Sequence, residues 1–70
     1  MEVYLVYYME AYEVNEVIGV FGDYVKAREF ELDYCNKNGI KEDSYGWCVI
    51  RKVEVDKVYD DVFAGIGEEV

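Results

Sequence analysis

The chain reads as an α+β domain: a three-stranded antiparallel or mixed sheet of ββαβ connectivity, strand order 2-1-3. One helix packs on one face, and a short C-terminal segment follows. Three observations predict this. Residues 2–9 are β-branched and aromatic on both alternating faces. A helical apolar repeat follows Asp23 and stops at Asn38-Gly39. An alternating apolar run then occupies residues 45–55.

Each element has its own reason. In residues 2–9, Val3, Leu5, Tyr7 and Met9 fall on one side and Tyr4, Val6 and Tyr8 on the other. A strand apolar on both faces belongs in the middle of a sheet. Residues 17–21 (Val-Ile-Gly-Val-Phe) form the second strand, and the acidic stretch between the two is a hairpin connection. Asp23 suits a helix N-cap by residue type and charge. Ala27, Phe30, Tyr34 and Cys35 share one side of a helix over residues 23–38. Val25 and Leu32 lie on nearly the opposite side, as scattered surface residues or as a dimer or partner contact.

In residues 45–55, Trp47, Val49, Val53 and Val55 share one face, with Cys48, Ile50, Lys52 and Glu54 on the other. Arg51 falls on the apolar side, which calls for an edge position, a carboxylate partner or a bulge. Residues 56–70 carry Val58, Tyr59, Val62, Phe63 and Ile66 at helical spacing, as a short helix capped by Asp56 or as a docked tail. Gly67-Glu68-Glu69-Val70 reads as loose. The helix covers one face of the sheet. That leaves Tyr4, Val6 and Tyr8, with Ile50, on the other face, to be covered by the C-terminal segment, a second copy or a partner.

Composition narrows the function. Sixteen acidic residues against seven basic ones give a formal charge of −9 on 70 residues, with no histidine. With 53% hydrophobic residues, the chain has the material to fold, so its acid lies on a structured surface. A chain this short is one domain with a thin stability margin. Phosphate-bearing partners, whether nucleic acid or anionic membrane, meet like charge and are disfavoured. The start lacks a basic leader, and Glu10 interrupts the first apolar run, so the expected location is the cytoplasm. There Cys35 and Cys48 read as buried free thiols rather than a disulfide.

Catalytic chemistry has little support. Histidine is absent, and the glycines match neither phosphate-binding pattern. The pairs Glu42-Asp43, Asp60-Asp61 and Glu68-Glu69 read as solvated surface. Two cysteines without histidine cannot make a four-ligand zinc site, and nothing fits a calcium loop. The expectation is a non-enzyme without cofactor or metal.

The acid is unevenly placed. Residues 1–25 hold Glu2, Glu10, Glu13, Glu16 and Asp23 and no base. Residues 54–70 hold Glu54, Asp56, Asp60, Asp61, Glu68 and Glu69 against Lys57 alone. Alternate residues of a strand are about 6.7 Å apart, close to two phosphate steps of about 3.4 Å along a DNA strand. Glu54 and Asp56 have that spacing in sequence. Carboxylates so arranged can occupy Lys and Arg sites built for phosphates. High charge also serves solubility.

The stretches Val3-Tyr4-Leu5-Val6-Tyr7-Tyr8 and Val17-Ile-Gly-Val-Phe-Gly-Asp-Tyr-Val-Lys-Ala27 resemble a group of very small ββαβ proteins of phages and bacteria. In overall character the chain resembles phage host-takeover proteins, most of all the acidic DNA-mimic inhibitors of HU-type nucleoid proteins. The resemblance implies a basic host DNA-binding protein as partner. The acid positions nominate Glu10, Glu13, Glu16, Glu54, Asp56, Asp60 and Asp61 as contacts, with Tyr8, Tyr12 and Tyr59 supplying apolar area. The alternative is a binding module that inhibits or redirects a host enzyme, such as RNA polymerase or a nuclease, through an uncovered tyrosine-rich sheet face. An acidic homodimeric structural protein is a third reading.

Overall fold

A computed structural model describes residues 1–10, 15–40, 45–58 and 66–70. The elements are β1 (Glu2–Glu10), β2 (Asn15–Phe21), α1 (Tyr24–Asn38), β3 (Gly46–Glu54) and β4 (Glu68–Glu69). They build an α+β fold with one antiparallel sheet in the order β2-β1-β3-β4. The two-sided apolar strand β1 is central, as its pattern requires, and the 2-1-3 order is present within the larger sheet.

Helix α1 starts and stops where its caps dictate. Asp23 is extended (φ −138°, ψ 129°) and its side chain accepts from the Val25 N–H at 2.7 Å. Gly39 takes the left-handed conformation (φ 65°), which an L side chain rarely adopts, and ends the helix with Ile40 N–H bonded to the Cys35 carbonyl at 2.9 Å. Val25 and Leu32 are exposed.

The helix takes the face that the sequence pattern had left open. Val6 is fully buried against Ala27 and Ile50, with Tyr4, Ile18, Phe21 and Phe30 packed around them. Ala27 has the smallest side chain at this contact, which lets the helix backbone approach the sheet. Tyr4 packs edge-on to Tyr24 at 5.7 Å between centroids, and Tyr8 lies 6.1 Å from Tyr34. The expectation that Tyr4, Val6, Tyr8 and Ile50 would form the uncovered face is therefore corrected. Because both faces of β1 are apolar, alternation gives no sign of which one meets the helix.

The opposite face gathers Leu5, Tyr7 and Val53, with Val3, Met9, Val49 and Ile66 against them. The C-terminal segment reaches this face: the Ile66 N–H donates to the Tyr7 hydroxyl at 3.2 Å. β4 pairs with β3 in the register Arg51↔Glu69 and Lys52↔Glu68, and the Val70 N–H donates to the Ile50 carbonyl at 2.9 Å. The last residues are thus fastened, not loose. A two-residue strand is too short for period-two patterning to reveal.

Arg51 lies beside this added strand, where its Nη1 donates to the Gly67 carbonyl at 3.3 Å. Gly67 has φ 85°, and a methyl group there would collide with Val53 and the Lys52 carbonyl. Asp56 does not cap a helix. It has φ 65° in a turn just after β3, a conformation that aspartate tolerates better than most residues. The helical reading of 59–65 lies outside the described residues.

Candidate acidic surface

β1 and β2 do not pair evenly. The register runs Val6↔Gly19 and then Tyr7↔Val17, so Ile18 is an extra residue in β2. The bulge shifts everything before it by one position. Glu16 therefore lies opposite Tyr8, on the same side as the helix. Without it, Glu16 would face Met9 on the other side of the sheet. At the end of β1, Glu10 is half-buried and accepts a hydrogen bond from the Tyr8 hydroxyl at 3.1 Å. Tyr8 is thus the apolar floor beside two carboxylates of one face. Burial first, then the Glu10 hydrogen bond and charge, push the Tyr8 phenol above its ordinary 10.0.

Gly46 makes room for this arrangement. It lies opposite Glu10, and a methyl group there would collide with the Tyr8 ring and hydroxyl. Gly46→Ala is expected to cost about 1–3 kcal/mol of stability by overpacking. In a Tyr8→Leu background the penalty should shrink, because the distal ring atoms are gone. An undiminished penalty in the thermal melts of that double-mutant cycle would place the clash elsewhere.

A second acidic group sits at the far end of the sheet. Glu2 and Glu54 are directly opposite across β1 and β3. Lys52, one pleat away on the same side, pairs with Glu2 at 3.5 Å and is in register with Glu68 of β4. Three glutamates and one lysine therefore share this end of the helix side of the sheet. Glu2 and Glu68 belong to this group although the sequence pattern did not single them out. Only the strand registers reveal them. Asp56 is exposed but lies beyond the strand in its turn, so the even spacing expected from Glu54 to Asp56 does not hold.

The eight residue steps of β1 from Glu2 to Glu10 separate the two groups by about 27 Å. Glu13, Asp60, Asp61, Tyr12 and Tyr59 lie outside the described residues. Among the described residues no three acidic or thiol side chains converge to hold a metal ion. No helix among them is long and apolar enough to cross a membrane.

Buried charge beneath the surface is local. Glu31 faces inward on α1 and is held by Arg28, one turn earlier. It lies close enough to Cys48 to disfavour the thiolate. Burial first, then the hydrogen bond and charge of Cys35, and then Glu31 push the Cys48 thiol from its ordinary 9.0 to about 12. The unfolded chain loses this proton first as pH rises. The contribution of this thiol to stability is therefore fully present below about pH 9 and is lost progressively towards about pH 12, with Tyr8 acting in the same direction. Urea midpoints measured from about pH 8 to about pH 11 should fall, and Cys48→Ala should flatten the decline.

No family model, curated protein or solved structure matches the chain.

Proposed function

We propose that the protein is an acidic DNA mimic of the phage-inhibitor type that binds a basic DNA-binding protein and blocks its DNA site. The observation that carries this reading is the pair of carboxylate groups on the helix side of the sheet. Glu10 and Glu16 lie at one end, and Glu2, Glu54 and Glu68 at the other. Their separation of about 27 Å matches about eight phosphate steps along a DNA strand. Both groups are mounted on paired strands, so little conformational freedom is lost when they meet a cationic surface. Lys52 stands within the far group, and no basic residue occurs in the sequence before Lys26.

HU-type nucleoid proteins are the target class favoured by charge complementarity and by the chain's resemblance in overall character to acidic DNA-mimic inhibitors. The competing reading through the face of Tyr4 and Tyr8 has less support, because those rings pack against Tyr24 and Tyr34.

The test is competition. A purified HU-type protein is loaded with fluorescent duplex DNA, and this protein is titrated in at several salt concentrations. Release of DNA that weakens steeply with salt is expected. No release, or release indifferent to salt, would reject the proposal.

A further inference from the structure

Two thiols meet where the last turns of α1 lie over β3. Cys35 is on the inward side of the helix, one turn beyond buried Glu31. Cys48 is on the helix side of β3, in register with Tyr8. Both are free and half-buried. Tyr34, the neighbour of Cys35, packs against Tyr8, which is in register with Cys48, and Cys35 is close enough to Cys48 to help push its pKa up. They come from elements joined by a loop, so a bond between them would tie helix to sheet.

We propose that Cys35 and Cys48 form an oxidation site, which a low-molecular-weight organic disulfide converts to an intrachain disulfide fastening α1 to β3. This inference is independent of the partner. The chemistry balances as two exchanges. The Cys35 thiolate attacks the external disulfide, forms a mixed disulfide and expels one external thiolate, which takes up a proton. Cys48 then gives its proton to solvent and attacks the Cys35 sulfur, expelling the second external thiol. Two protein thiols and one external disulfide become one protein disulfide and two external thiols.

The surroundings set the order. Cys48 faces Cys35 and Glu31 from α1 and Tyr8 from β1, and its raised pKa makes it a poor first attacker at neutral pH. Once Cys35 is in the mixed disulfide, its share of that suppression is gone. The ring closed by the bond spans residues 35–48, and closing it restricts the unfolded chain.

The full-length protein is incubated in glutathione buffers of increasing oxidised fraction and read by intact mass and thermal melting. The expected product is a monomer lighter by two hydrogens, with no adduct. It should melt at least about 10 °C higher than the reduced form, reversibly on adding dithiothreitol. Cys48→Ser should stop at a single glutathione adduct on Cys35. Stable adducts on both cysteines, disulfide-linked dimers, an unchanged melting temperature in the oxidised form, or no reaction in the most oxidising buffer would each overturn the proposal.

Discussion

Replacing Val6 by Asp is expected to leave the chain unfolded in dilute buffer. Val6 is fully excluded from solvent, between Ala27 of α1 and Ile50 of β3. A carboxylate there would be enclosed by Ala27, Ile50, Ile18, Phe21 and Phe30, and burying an unpaired charge costs several kcal/mol. The whole margin for 70 residues is about 4–10 kcal/mol. The graded version is Val6→Ala, which removes two methyl groups from the most enclosed side chain. It should cost about 2–3 kcal/mol and lower the melting temperature by about 10–20 °C. Val20→Ala is the control. Val20 is 61% exposed on β2, so its truncation should leave the melting temperature nearly unchanged. Circular dichroism melts decide both. A Val6→Asp protein that melts like the parent would mean that the helix does not pack on this face.

The second large effect concerns the partner. Changing Glu2, Glu10, Glu16 and Glu54 together to Gln reduces the formal charge from −9 to −5 while keeping side-chain size. Affinity for the basic partner should fall at least about 100-fold at low salt, and the salt dependence should become shallower. The loss should be mainly in the association rate for the exposed positions Glu2, Glu16 and Glu54. The fold should survive, because gathering fewer like charges relieves self-repulsion, and Gln at position 10 can still accept the Tyr8 hydrogen bond. A melting temperature at or above that of the parent would show that lost binding reflects the surface. Unchanged affinity in a folded variant would remove the basis of the mimic reading.

Changing the pair Glu10 and Glu16 and the pair Glu2 and Glu54 in separate variants tells the two ends of the sheet apart. Glu10 and Glu16 flank Tyr8, whereas Glu2 lies opposite Glu54 and pairs with Lys52, which is in register with Glu68. If only one pair contributes, the interface is confined to that end. If both contribute, the partner spans about 27 Å along β1.

Local chemistry was legible in the residues themselves. Asp23 and Gly39 bound the helix because a side-chain acceptor and a left-handed conformation are properties of single residue types. The central place of β1 followed from its apolar residues on both faces, and the concentration of acid near the two ends of the chain was a matter of counting. Other features needed the tertiary structure. The helix chose the face of Val6 because Ala27, Phe30 and Phe21 interlock there, and two apolar faces look alike to a period of two. The bulge at Ile18 put Glu16 beside Glu10, since one extra residue moves a whole segment to the other face. β4 brought Glu68 to Lys52, and the pairing of β1 with β3 brought Glu2 to Glu54. The approach of Cys35 to Cys48 likewise needed the helix to fold back over β3. Residue types fixed how many charges there are and where the helix begins and ends. Which charges stand together is a property of register, and register is decided by long-range pairing that no short stretch of sequence contains.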